Sequence, residues 1–176
     1  MSCVDTADGN HDLQIGAPGD TGSCIPAASA FADNGDGTVT DERSGLVWEK
    51  LADDDSIHDW DASFTWSEAS SVKLAQLNAG GGFAGHTDWR VPTIEELISL
   101  IRQGHNPPVA PEFDSGCAPG CSVTSCSCTH ADFHWSASTD PRHSNAAWSV
   151  IFGGDGVAEA DLKTYKMYVR AVRGGS

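Results

Sequence analysis

Hydrophobic and polar positions follow two different periods along this chain, and the switches between them mark its elements. From Phe31 the sequence reads FADNGDGTVTDERSGLVW. Asn34-Gly35 and Asp36-Gly37 tolerate the positive φ of tight turns, and they are followed by β-branched Thr38, Val39 and Thr40 and then by Leu46-Val47-Trp48, which predicts a hairpin or small meander. Two helical stretches come next. Thr65-Trp66-Ser67-Glu68 has the spacing of a capping box, and the run continues through Val72, Leu74, Ala75 and Leu77 to Asn78 and the glycines at 80 to 82, which stop it. Thr93-Ile94-Glu95-Glu96 repeats the cap after Pro92, with Ile94, Leu97, Ile98 and Ile101 forming one apolar stripe before Gly104. The period then returns to two. Trp148, Val150 and Phe152 share one face of an alternating run, a turn follows at 153–156, and Met167 to Arg173 reads as a closing strand.

Strands, two helices and strands again predict an antiparallel α+β domain rather than a βαβ repeat. A chain of 176 residues accommodates one such domain with a full core. Residues 1–30 are short of large apolar side chains and rich in Gly and Pro, so they read as an N-terminal extension, and 31–176 as the domain. No stretch approaches the roughly 18 consecutive apolar residues of a membrane-spanning helix, so no membrane insertion is expected. The formal net charge is −15, and fourteen acids against two bases fall within residues 1–61. Such a surface repels phosphate backbones, which argues against nucleic acid as a partner. The densest part, Asp53-Asp54-Asp55 and Asp59-Trp60-Asp61, reads as an exposed connector that carries an exposed Trp60.

Six cysteines refine this picture. Cys3 and Cys24 bracket the extension, and Cys117, Cys121, Cys126 and Cys128 crowd into twelve residues. An even count in loop-like sequence points to disulfides and an oxidising compartment, and the simplest connectivity pairs Cys3 with Cys24 and the other four among themselves. A zinc site that recruits His130 or His134 is the rival. Structural zinc, however, joins two short ligand pairs across a longer loop, whereas this run is C-x3-C-x4-C-x-C. The first five residues show neither a basic nor an apolar signal-peptide region. Localisation is therefore read from the cysteines, as secreted, cell-surface or periplasmic.

Six landmarks recur in order: the Phe31 to Trp48 segment, Thr65 to Ala69, Asp88-Trp89-Arg90-Val91-Pro92-Thr93-Ile94-Glu95-Glu96-Leu97, His134-Trp135-Ser136-Ala137-Ser138, Ala147-Trp148, and Tyr168 to Gly174. Together they resemble the DUF1566 domain, also called the Lcl C-terminal domain, over about residues 31 to 174. The resemblance implies a C-type-lectin-like fold, related to formylglycine-generating enzymes and to retroelement variable proteins, in secreted or surface-attached bacterial proteins that adhere or display ligands. The chain departs from the pattern in its N-terminal extension, its acidic stretch and its Cys117 to Cys128 insertion. The family's collagen-like adhesin is associated with sulfated glycosaminoglycans, but a chain of this charge is a poor partner for polyanions, so that ligand does not carry over.

Candidate chemistry sorts against plainer readings. Asp33, Asn34, Asp36 and Asp41 bring hard oxygen ligands together, as calcium needs, but the register excludes a helical calcium loop, and turn geometry explains the residues better. No other cofactor is implied. Cys121 and Cys126 share the C-x4-C spacing of the formylglycine-generating enzymes, yet their flanks do not match and Cys117 and Cys128 offer disulfide partners, so no enzyme is expected. No nucleophile elbow, HExxH motif or phosphate loop occurs. The resemblance places the binding surface on the C-terminal strands. By alternation its residues are Ser149 and Ile151, opposite Trp148, Val150 and Phe152, followed by Asp155, Glu159, Asp161, Lys163 and Tyr165. The expected function is recognition of a surface protein or glycan through that face. The alternatives are a structural subunit of an appendage or homo-oligomer, and a Cys121/Cys126 oxidase.

Overall fold

The computed structural model describes residues 30–174. The N-terminal extension, with the expected Cys3–Cys24 pair, lies outside the described residues. The predicted meander forms β1 (Phe31–Asp33), β2 (Thr38–Asp41) and β3 (Val47–Glu49). All its pairings are antiparallel, and β7 (Val172–Arg173) returns from the C-terminal end to close a sheet of order β1-β2-β3-β7. β4 (Phe133–Thr139), β5 (Ala146–Ile151) and β6 (Val157–Leu162) build a second antiparallel sheet. The protein is thus an α+β domain of two antiparallel sheets. No helix among the described residues is long and apolar enough to cross a membrane.

Both helix starts are where the sequence puts them. Thr65 Oγ1 accepts from Glu68 N while Glu68 Oε2 accepts from Thr65 N, and Thr93 and Glu96 repeat the exchange. The first helix runs through Trp66–Glu68, a π-helical Ala69–Leu74 and Ala75–Leu77. Asn78 then ends it and ties it inward, donating to Trp89 O at 2.8 Å and accepting from Trp89 N at 2.9 Å. The second helix is shorter than expected, Ile94–Ile98, with Ser99 as its C-cap. Its inward face is also different: Leu97 and Leu100 are fully buried, whereas Ile98 is exposed. The inward face centres on Leu97, and Leu100, three residues on, shares it, which leaves Ile98 at the solvent edge.

Two apolar clusters hold the domain together, one around Phe31, Val39, Trp48, Leu97, Phe113, Val150 and Phe152, the other around Leu77, Trp89, Trp135, Ala147, Met167 and Val169. β5 contributes Val150 to the first and Ala147 to the second, so both of its faces are covered. Ser149 is consequently fully buried, which corrects its assignment to the solvent-facing surface. Alternation assigns a solvent face only where a sheet is covered on one side.

The interior also holds charge. Glu49, wholly buried, accepts from Lys73 Nζ at 2.8 Å and from Ala171 N at 2.9 Å, and meets His58 Nδ1 at 2.8 Å. Burial works against its carboxylate, but Lys73 and His58 outweigh burial and hold the group below the usual range. Arg170 donates to the carbonyls of Glu49 and Cys128 and to Thr129 Oγ1. Burial lowers its guanidinium to about 10.

The acidic stretch is more ordered than an exposed connector. Asp59 is buried and accepts backbone bonds from Asp54, Asp55 and Asp61, which folds the run around one carboxylate. Trp60 is not exposed. It packs with Ala52, Val123 and the half-cystines Cys121, Cys126 and Cys128, its ring 5.1 Å from that of His130.

Candidate functional site

The four clustered cysteines pair as Cys117–Cys128 and Cys121–Cys126, Cα atoms 5.2 and 6.0 Å apart. Cys121 and Cys126, the residues of the oxidase alternative, are therefore joined to each other. The acidic turn residues hold the hairpin. Asp33 accepts from Gly35 N and pairs with Lys50 at 2.8 Å, Asn34 donates to Thr38 and Thr40, and Asp36 accepts from both the amide and the hydroxyl of Thr38. Asp41 accepts from Arg43 N and Ser44 Oγ. Each of these four side chains is engaged in closing a turn or bracing a strand, the role that turn geometry assigned them.

A cleft of about 460 Å³ opens where the start of β4, the end of β6 and the segment after it converge. It is lined by Ser63, Asp132, Phe133, Asp161, Tyr165, Lys166, Met167 and Tyr168. Backbone pairing assembles it from three distant parts of the chain. Phe64 and Met167 exchange both amide bonds at 2.8 and 2.9 Å, and Tyr168 N donates to Phe133 O while Trp135 N donates to Tyr168 O, so residues 167–168 are laced between residue 64 and β4. Trp135 Nε1 donates to Phe64 O at 2.9 Å, locking the same junction from below.

The lining combines an apolar floor with polar groups aimed by their neighbours. Phe133 and Met167 supply the floor. Asp132 Oδ1 accepts from Phe133 N at 2.8 Å, and Asp161 Oδ2 accepts from Ser149 Oγ at 2.7 Å. Ser149 thus sets the orientation of Asp161 from inside instead of touching a ligand. Burial, reinforced by the negative charges of Asp132 and Asp61, raises the Tyr168 phenol, so it remains an O–H donor at neutral pH. The Tyr168 ring lies flat on His130, centroids 3.8 Å apart at 15°, and His130 is followed by Trp60, a stack that fixes the tyrosine's plane. Tyr165 is 53% exposed at the rim.

Behind this wall sits His134. Burial pushes its imidazole down to about 3, and the positive charge of Arg170 acts in the same direction. The ring is neutral at pH 7, and because its Nδ1 lies 3.0 Å from Asp132 O, that nitrogen carries the proton and donates. The bond ties the backbone of Asp132 to the core.

Of the seven residues assigned to the binding surface, Asp161 and Tyr165 line the cleft. Ser149 supports it. Lys163 is engaged elsewhere, its ammonium 4.1 Å from the Trp66 ring centre and donating to Thr139 Oγ1 and Ser144 O. Ile151 is half-buried, and Asp155 and Glu159 are exposed outside the cleft. Sequence reasoning missed Ser63, Asp132, Phe133, Lys166, Met167 and Tyr168. Two signals bear on them: Asp132-Phe133 directly precedes the His134 landmark, and Tyr168 opens the last one, so the cleft gathers beside the family's fixed points.

Among protein-family models, the one described as Lcl C-terminal domain matches residues 37–173. No curated protein and no solved structure matches the chain.

Proposed function

From the membership of this chain in the Lcl C-terminal domain family, we propose that it is a non-catalytic recognition module, C-type-lectin-like in architecture, which works outside the cytoplasm as an adhesion or ligand-display domain and binds a glycan or surface protein at the cleft between β4, β6 and the 165–168 segment. The observation that carries this reading is the cleft itself: two tyrosines, two carboxylates and one ammonium around an apolar floor. That mixture suits a ligand with both a flat apolar face and polar groups, since aromatic rings cover the face while fixed acceptors and donors select the pattern around it. The buried Ser149–Asp161 bond and the Trp60–His130–Tyr168 stack support it further, because prior ordering of contact groups lowers the entropy lost on binding. The two disulfides favour an oxidising compartment. The C-type-lectin-like reading draws on the two antiparallel sheets and on the closing strand that returns to the first meander.

A printed array of glycans and bacterial and host surface proteins tests the proposal. Wild-type protein gives discrete spots, and the double variant Asp161→Asn/Tyr165→Ala loses them while keeping its unfolding midpoint. A flat array at high protein concentration favours a second reading, a structural subunit. That reading draws on the outer edge of β6, which pairs with no other strand among the described residues and carries exposed Val157 and Leu162.

A further inference from the structure

The two disulfides of the Cys117 to Cys128 loop lie against each other. Cys121 Sγ stands 3.9 Å from Cys128 Sγ, across the gap between the two bonds. The sulfurs of Cys117, Cys121 and Cys128 all fall within 4.8 Å of one another, and Cys126 is bonded to one of them. Zinc thiolate bonds of about 2.3 Å in tetrahedral geometry place neighbouring sulfurs about 3.8 Å apart. The unbonded Cys121–Cys128 approach already has the length of such an edge. Once the disulfides open, the sulfurs of Cys117 and Cys128 part to the same separation, and Cys126, bonded to Cys121 but outside the 4.8 Å group, turns its side chain toward the other three to complete the tetrahedron. The spacing along the chain argues against zinc, but the fold overrides it by bringing both ends of the loop together.

The loop backbone is held by bonds that do not depend on the disulfides. Cys128 N donates to Leu51 O at 2.9 Å, and Cys128 O accepts from Arg170 at 2.6 Å. Cys121 O accepts from Asp53 N at 3.1 Å, Cys126 N donates to Ser122 O at 2.9 Å, and Ser115 and Ser127 exchange both amide bonds at 2.8 Å. Cys126 and Cys128 are buried, Cys121 is half-buried and Cys117 is exposed, so the cluster is sheltered on one side and reachable from the other. Such a site has both a fixed scaffold and an entry path.

We propose that the reduced loop is a tetrathiolate zinc site formed by Cys117, Cys121, Cys126 and Cys128, and that oxidation to the two disulfides expels the metal. Two molecules of a dithiol reductant each deliver two electrons and two protons, converting the two disulfides into four thiols and leaving as their own disulfides. Zn²⁺ then forms four Zn–S bonds and releases four protons. Two molecules of a disulfide oxidant, each accepting two electrons from the thiolates and two protons from solvent and leaving as dithiols, convert the four thiolates back into two disulfides, breaking the four Zn–S bonds and freeing the ion. The four sulfurs line no part of the recognition cleft, although Trp60 packs on them and reaches the cleft through the His130–Tyr168 stack; cobalt binding reads the metal site and array binding reads the cleft, so the two proposals are tested by different outcomes.

The test uses the full chain with Cys3→Ser and Cys24→Ser, reduced anaerobically with a phosphine and titrated with Co²⁺. One equivalent binds, with thiolate-to-cobalt charge-transfer and tetrahedral d–d bands, Zn²⁺ displaces it, and diamide releases it. Adding Cys126→Ser weakens binding by more than the tenfold to hundredfold typical of losing a mere supporting contact. The near-UV circular dichroism of the tryptophans is followed throughout, and where reduction weakens it, one equivalent of Zn²⁺ restores it. Absence of the charge-transfer band, equal binding by the oxidised protein, an affinity indifferent to Cys126→Ser, or a dichroism that Zn²⁺ fails to restore each overturns the proposal.

Discussion

His134 shows how one side chain couples the core to the cleft. Its ring is buried among Phe152, Tyr168 and Arg170, and its Nδ1–H donates to the Asp132 carbonyl, holding it in place behind the cleft wall. Because the folded-state pKa lies near 3 and the unfolded one near 6.5, the unfolded chain takes up a proton below pH 6.5 that the folded chain refuses. Its stabilising contribution is therefore complete above pH 6.5 and is lost as the pH falls toward 3, with a limiting slope of about 1.4 kcal/mol per pH unit for one proton. Glu49, whose carboxyl is held low in the folded state, adds a loss of the same sign below about 4.5. Urea unfolding between pH 7 and pH 5 isolates the histidine: the wild type loses stability across that range, and a His134→Asn variant, destabilised overall, shows a flatter dependence. At this scale the sequence is least legible. Arg170 lies in the run from Met167 that alternation reads as strand, although only Val172–Arg173 pairs as β7, and it bonds the carbonyl of Glu49, 121 positions away; no local pattern announces a pairing over such a distance.

At the scale of elements, local chemistry was read correctly wherever a few neighbouring residues decide the outcome. Both capping boxes form because four consecutive residues suffice to satisfy the orphan amides of a helix start, whatever packs around them. The meander forms because Asn34-Gly35 and Asp36-Gly37 close its turn, with Gly35 and Gly37 at φ of 76° and 94°. Thr65→Ala and Thr93→Ala each cost about 1 kcal/mol of unfolding free energy by urea titration, and the double variant costs close to the sum, since the two caps share no partner. Elements whose outcome depends on what covers them were misread. β5 looked one-sided but is covered on both faces, which buries Ser149. The second helix centres its inward face on Leu97 and Leu100 and leaves Ile98 exposed. Trp60 reads as exposed among carboxylates, but Asp59 gathers the surrounding backbone and leaves the indole to pack on the pair of disulfides.

For the whole molecule, the α+β class is legible, and so is the pairing of the four clustered cysteines among themselves, because element order and cysteine number constrain both; which of the three connectivities forms is set only by the fold. Two of the cleft's eight lining residues are legible. Alternation along β6 and the turn after it reaches Asp161 and Tyr165, whereas Ser63, Asp132 and Tyr168 arrive through pairings between Phe64 and Met167 and between β4 and residue 168 that only the assembled fold creates. The molecule therefore reads as a scaffold whose distant segments converge on one mixed apolar and polar hollow, in a chain of formal net charge −15. The most direct test of that account is amide chemical-shift mapping with the strongest array ligand. The account predicts the largest changes at Ser63, Asp132, Phe133, Asp161 and Tyr165 to Tyr168, with the β1–β2 hairpin and the second helix unmoved; changes concentrated at the hairpin or the helix, with residues 165–168 silent, would contradict it.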